Sequence, residues 1–238
     1  MDFEFTQQPA YTLVKVTLES GDSIQAEPGA MVSMSDTVAI ATSKSNDGIL
    51  SSAKSMLGGE SLVANTFTAE GGRGEVTLAP PTPGDVHHHE MDDGTLYAVD
   101  GSYLASTPDV EIESEFGGLK SMLSGVGVTP LALKGSGDVF VEAFGGLETV
   151  ELAEGERYTI DNDHVVAWEG TTDFDARRIG GLKSTLLSGE GIVMDFTGPG
   201  KVWYQTRGMD AFTSAIAADI ASGGRDDNDD GIGVEDLF

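Results

Sequence analysis

Three consecutive histidines, His87-His88-His89, followed by Glu90, are the residues of this 238-residue chain whose type and spacing best suit metal chemistry. Successive side chains of a strand point to opposite faces, so on a strand His87 and His89 share a face. That His-x-His pair, joined by Asp93 and the distant His164, has the ligand types of a cupin-like metal centre. The surroundings depart from that motif: Pro81, not glycine, stands six residues before His87, and no second motif brings its own histidine. The competing expectation is a loop after Pro80-Pro81-Thr82-Pro83-Gly84 that happens to carry histidines.

A second chemical pattern lies in the tail. In Asp226-Asp227-Asn228-Asp229-Asp230-Gly231, oxygen side chains at Asp226, Asn228 and Asp230 with Gly231 sixth match the first half of a calcium loop. The twelfth position is Leu237, where such a loop needs a bidentate glutamate, so a solvated acidic tail is the expected reading. A third pattern is a recurring cation. Lys54, Lys120 and Lys183 each precede serine in Lys-Ser segments that continue into leucine and glycine, and lysine is scarce here. They are candidates for pairing with acids at a repeat or subunit junction, or for gathering an anion; the alternative is a lysine inherited on each exposed turn.

No catalytic residue and no cofactor is expected. Gly-x-Ser-x-Gly is absent, no phosphate loop occurs because Lys183 follows Leu182, and Gly-x-Gly-x-x-Gly opens no helix. Trp168, Trp203, Tyr204 and Phe140 fit strand faces and core packing.

The elements that must position these groups read as strands in three tandem copies. One block recurs as Gly21 to Glu27, Gly94 to Asp100 and Gly155 to Asp161, with a large apolar residue three after the glycine, another two later, and an acid next. A glycine-led strand recurs at Gly74, Gly137 and Gly200, 63 residues apart each time. Further strands are expected at Thr12 to Leu18, Met31 to Met34, Val38 to Ala41, Leu62 to Phe67, Val110 to Glu113, Thr129 to Leu133, Val165 to Trp168 and Ile192 to Phe196. Asp47-Gly48, Gly71-Gly72 and Asp93-Gly94 read as turns that separate them. Such spacing predicts an all-β sandwich or barrel and excludes a parallel βαβ fold. One helix is expected over 209–223, where Phe212, Ile216 and Ile220 share a face and Asp210 and Gly223 mark the ends.

Composition narrows the partners. The chain has no cysteine, which removes disulfides and thiolate chemistry. Thirteen Lys and Arg stand against 40 Asp and Glu, a net of −27; the tail from Arg225 carries six acids and one base, leaving −22 on the body. Self-repulsion of that size is screened within about 3 Å in molar salt, so a halophilic cytoplasm is expected. Nucleic acid and anionic membranes need a basic surface and are not expected as partners. No signal peptide or long apolar run is seen, so a cytoplasmic location is expected.

The glycine-leucine-lysine blocks with the glycine-led strands, above all Leu57-Gly58-Gly59-Glu60-Ser61-Leu62 and Gly198-Pro199-Gly200-Lys201-Val202-Trp203, resemble the altered-inheritance-of-mitochondria proteins. The likeness runs from about Phe3 to Gly208. It implies a fold similar to the tryptophan RNA-binding attenuator, an antiparallel double-stranded β-helix repeated within the chain, and a homo-oligomer, with trimers favoured. It brings no catalytic residues, and the superfamily's RNA binding does not transfer to so acidic a surface. The expected organisation is one all-β domain over 1–208, with copies at about 10–80, 93–149 and 155–208, the helix over 209–223, and an acidic mobile tail over 224–238. The expected function is a non-enzymatic oligomeric scaffold, open to a protein partner. The alternatives are a small-ligand module with pockets between repeats and a cupin-like metalloprotein at His87 and His89.

Overall fold

The computed structural model describes residues 1–44, 63–99, 101–113, 130–179 and 191–223. Their architecture is mostly β, with antiparallel pairing throughout the named strands and a single C-terminal helix among the described residues.

The first strands show how the apolar pattern sets the layers. In β2 (Leu13–Leu18) burial alternates, with Val14, Val16 and Leu18 fully inside, as one face of a half-covered sheet requires. β1 (Asp2–Thr6), β2, β7 (Gly74–Leu78) and β4 (Met31–Met34) make a four-stranded sheet in the order β1-β2-β7-β4. β5 (Val38–Lys44) lies on β6 (Val63–Ala69), and β6 lies on β3 (Ser23–Ala26).

Two long strands carry the middle. β8 (Gly84–Val99) and β11 (Pro130–Phe144) pair along both arms, with a register break between Gly135 and Gly137. Asp93-Gly94, read as a turn, is thus a bend inside one strand. Asp93 takes φ 50 and its N–H donates to Ser136 Oγ at 2.9 Å. The local signal marked the irregularity correctly, but pairing with β11 on both sides of it keeps the chain extended. β9 (Tyr103–Ser106) pairs with the outer arm of β11 and β10 (Val110–Glu113) with the inner arm.

In the last third, β12 (Leu147–Leu152) and β14 (Val165–Glu169) flank β17 (Gly200–Gln205), while β13 (Arg157–Asp161) and β15 (Asp173–Arg178) flank β16 (Ile192–Thr197). The thirds are stitched by two short pairings: β9 on β3, through Gln25 with Ser106 and Ala26 with Ala105, and β14 on β8, through Ala98 with Ala167 and Tyr97 with Trp168. These joints unite the strands into a 10-stranded sheet, beside the four-stranded one and the three-stranded β13-β16-β15. None of the three closes on itself as a barrel among the described residues.

Apolar side chains gather in three clusters that follow the chain. The first is built around Val14, Leu18, Ile24, Phe67 and Leu78, the second around Leu96, Leu133, Val139 and Val141, and the third around Trp168, Met194, Phe196 and Val202. β4, β9 and β14 each hold one unpaired extra residue against their partner: Val32, Leu104 and Val166. Leu104 reaches the first cluster and Val166 the second, both fully buried, whereas Val32 is 56% exposed.

The helix α1 (Met209–Gly223) follows β17. Its N–H at Asp210 approaches Asp163 Oδ1 at 3.5 Å, and Phe212 meets Phe144 with ring centroids 5.1 Å apart. The expected apolar face is present but uncovered: Phe212, Ile216 and Ile220 are 48%, 45% and 67% exposed. No helix among the described residues is long and apolar enough to cross a membrane.

Candidate functional site

The histidines lie in strand β8, not in a loop, and alternate across it as a strand dictates. His87 and His89 face Trp203 of β17, with ring centroids 5.0 and 5.2 Å from the indole. His88 points the other way, against Phe3 and Phe140, and its Nε2 lies 2.7 Å from Asp138 Oδ1. Burial first, and repulsion from His89, His88 and Lys201 after it, lowers His87 to about 4; burial also lowers His89. Both imidazoles are therefore neutral near pH 7, which suits ligands and aromatic packing alike.

What would distinguish a metal centre is a third and fourth ligand. His164 sits in the 3₁₀ turn at Asn162–His164, its Nδ1 2.7 Å from the Gln205 carbonyl oxygen. Asp93 lies at the bend of β8, along a shallow acidic groove with His89, Glu90, Asp92 and Glu169. Among the described residues no three His, Asp or Glu side chains are brought together as a metal ligand set. The geometry favours His87 and His89 as a packed shelf under Trp203. EDTA is accordingly expected to leave the melting temperature within about 1 °C, measured by scanning calorimetry; a drop of about 5 °C, reversed by zinc, would restore the metal reading.

The same burial has a titration consequence. An imidazole held neutral at about 4 when folded and near 6.5 when unfolded binds fewer protons in the native state, so it costs stability as pH falls from about 6.5 through about 4. The side chain is only partly enclosed, so the cost is about 1–2 kcal/mol. His87→Phe is expected to shrink the loss of stability between pH 7 and pH 4 by that amount in urea titrations.

Lys54, Lys120 and Lys183, and the tail residues Asp226, Asn228 and Asp230, lie outside the described residues.

One group escaped the sequence reading. Glu142 on β11 is 4% exposed, and its Oε2 is buried with no hydrogen-bond partner. Its neighbour across the first joint is the carboxyl of Glu27, whose backbone N–H donates to Leu104 O at 2.9 Å. Desolvation first, and the charge and hydrogen bond of Glu27 after it, push the Glu142 carboxyl up to about 9. Beside the pair runs a buried network in which Tyr103 Oη lies 2.9 Å from Ser106 Oγ, and Gln25 Nε2 donates to Ser106 Oγ at 2.9 Å and to Val110 O at 3.0 Å. Burial also raises the Tyr103 hydroxyl, so it remains a donor. The available signal was a lone acid in the apolar run Val139 to Phe144; among 40 acidic residues it did not stand out.

Glu142 also lines a cavity of about 360 Å³ between the three groups of strands. Thr82, Ser102, Asn162, Asp163 and Gln205 supply its other polar walls, and Val99, Phe144, Val165 and Met209 its apolar ones.

The third notable surface is a pair of uncovered strands. All four residues of β4 are exposed, with Met31 at 39%, Val32 at 56% and Met34 at 40%. On β13 the first three residues are exposed, Tyr158 at 41%. The counterparts of β4 at the internal joints are closed: β9 is buried throughout and β14 is buried at its first four positions.

Compared with known proteins, residues 3–207 match the family model described as mitochondrial biogenesis AIM24. An uncharacterized protein of Streptococcus pyogenes serotype M6 is 28% identical over 224 residues, spanning 91% of this chain and 90% of that protein. A crystal structure of a Streptococcus pyogenes protein superposes with a TM-score of 0.76 at 29% identity, covering 91% of this chain and 98% of that one.

Proposed function

The chain belongs to the mitochondrial biogenesis AIM24 family, and from that premise we propose that it acts without catalysis, as a self-associating β scaffold in an acidic, high-salt cytoplasm. Three tandem copies of one six-strand unit underlie it, as in an attenuator-like double-stranded β-helix, within one domain over 1–208. The strand pairings support the triplication. With β1 left aside and the two arms of β8 and of β11 each counted as a strand, in each third the first strand pairs with the sixth, the third strand joins the sixth with one extra residue, and the fifth lies between the second and the fourth.

The observation that carries the scaffold reading is Val32. Within the chain, the third strand of one unit lies on the second strand of the unit before it, and its extra residue, Leu104 or Val166, enters the preceding core. Among the described residues β4 pairs only with β7 and β13 only with β16, so each leaves one edge open. A second copy covers both, β4 of one chain lying on β13 of the next, so association is heterologous and closes into a ring, a trimer being favoured. Light scattering after gel filtration in 2 M KCl is expected to give the mass of three chains; a strictly monomeric species overturns the reading.

The net charge of −27 supports a high-salt setting. Raising KCl from 0.1 to 2 M is expected to raise the melting temperature by about 10 °C, since screening relieves repulsion among surface carboxylates. A salt-independent melting curve would remove that part of the reading. A second reading, a small-ligand module, is favoured by the 360 Å³ cavity between the units and by Glu142 in its lining, one carboxyl oxygen of which is buried without a hydrogen-bond partner.

A further inference from the structure

We propose that the cavity bounded by Glu142, Ser102 and Asn162 is a binding site for a small organic ammonium ion, its charge met by the Glu142 carboxyl group. The assignment rests on the small-ligand reading and gives that reading a substrate class.

The site is built at the meeting of three parts of the fold. Pro81 and Thr82 come from the segment after β7, Val99 from the end of β8, Gly101 and Ser102 from the stretch before β9, and Asn162 and Asp163 from the turn before β14. Its volume is within the range of pockets that take small ligands.

The walls select charge. Among the described residues no lysine, arginine or histidine lines the space, while Glu142 and Asp163 do. An anion would meet two carboxyl groups in the field of a chain carrying −27.

Several wall groups are already committed. Gln205 Oε1 accepts from the Phe144 N–H at 2.8 Å, and its Nε2 donates to the Asp163 carbonyl oxygen at 2.8 Å. Asp163 Oδ1 faces the first turn of α1. Glu142 is different: it is 4% exposed and its Oε2 accepts from nothing. A buried acceptor without a donor is costly, and an ammonium group brings up to three donors together with the opposite charge. Val99, Phe144, Val165 and Met209 would cover the methylenes of such a ligand.

Ligand binding would carry a proton signature. Among the described residues the titratable and charged groups around Glu142 are Glu27 beyond β3, Tyr103 on β9 beside Glu27, and Asp163 in the cavity lining; across the strand ladder it meets the apolar Val86 of β8. Raised to about 9 by burial and by the neighbouring Glu27, the Glu142 carboxyl holds a proton near neutral pH. An ammonium ion takes over the role of that proton, so one proton leaves as one ligand binds.

The test is calorimetric titration of the full chain at pH 7 in 2 M KCl with four probes, ethanolamine, putrescine, glycerol and lactate, in phosphate and in HEPES. Expected are saturable binding of one amine per chain, silence from glycerol and lactate, and a difference in heat between the buffers that reports proton release. Glu142→Gln should weaken the amine at least tenfold and abolish the buffer difference. Asn162→Leu, which narrows the cavity and removes a polar group from its wall while leaving the carboxyl pair intact, should weaken it likewise, and it keeps the test valid if Glu142→Gln unfolds. Amine binding unaffected by either variant overturns the assignment. Saturable glycerol or lactate binding that Asn162→Leu removes overturns the ammonium class and leaves the ligand-module reading standing; silence from all four probes overturns both.

Discussion

Glu142→Gln is expected to remove most of the pH dependence of stability on the alkaline side. The carboxyl is raised to about 9 in the folded chain and returns to about 4.3 when unfolded. A group whose folded value is raised contributes stability that is complete below the unfolded value and is lost as pH rises through the folded one. The native state holds the extra proton between about pH 4.5 and pH 9, so stability falls with pH across that window. The full displacement would be worth about 6 kcal/mol, but rearrangement of the site around the ionised carboxyl and the neighbouring Glu27 offsets part of it. About 3 kcal/mol is the expected loss, or roughly 6–12 °C in melting temperature for a chain of this length. The glutamine variant keeps shape and neutrality, so its melting temperature should stay nearly level from pH 7 to pH 9. Other carboxylates add a slope common to both proteins, and the difference between the two curves isolates Glu142. Parallel curves would show that the buried carboxyl does not carry the proton assigned to it.

That carboxyl also marks where sequence reading ran out. Alternation and turn glycines were legible because they are local: β4 and β10 lie at Met31–Met34 and Val110–Glu113, where their apolar spacing put them. Gly137, with φ 139, leaves no room for a Cβ against Thr107 Oγ1, and the glycine at that place announced the strand that follows. Asp93-Gly94 was misread as the end of a strand because continuity there comes from β11, about forty residues away in the chain. Burial of a single acid is likewise a property of distant partners, here Glu27 and the β3–β9 joint, and leaves no mark on its neighbours except that they are apolar.

The histidines show the same division. Their alternation across a strand followed from the two-residue repeat, and His87 and His89 do share a face. What covers that face is Trp203, and only the assembled sheets bring it there. Residue type and spacing therefore supplied two ligands' worth of chemistry, while the fold supplied an indole in place of further ligands among the described residues. The α1 stripe is the converse case. The i, i+4, i+8 spacing of Phe212, Ile216 and Ile220 is real, but the helix meets the body chiefly at its first turn, and the stripe stays open.

Val32→Lys is expected to convert the proposed assembly to folded monomers. At the two internal joints the equivalent residues, Leu104 and Val166, are fully buried, whereas Val32 is 56% exposed in the isolated chain. A lysine there costs the monomer little, within about 0.5 kcal/mol. At a joint between chains it removes about 1.5–3 kcal/mol of apolar burial and places a cation against a neighbouring core. A ring repeats that penalty at every junction, so the loss multiplies with the number of chains. Tyr158→Lys on β13 attacks the other side of the same heterologous contact and should give the same monomer. Because the two faces differ, a Val32→Lys chain still offers an intact β13 and a Tyr158→Lys chain an intact β4. Mixed together, they can form one good junction per pair and should yield dimers by light scattering, while each alone remains monomeric. An isologous contact would not be rescued by mixing, and assemblies unchanged by either lysine would place the interface elsewhere on the molecule.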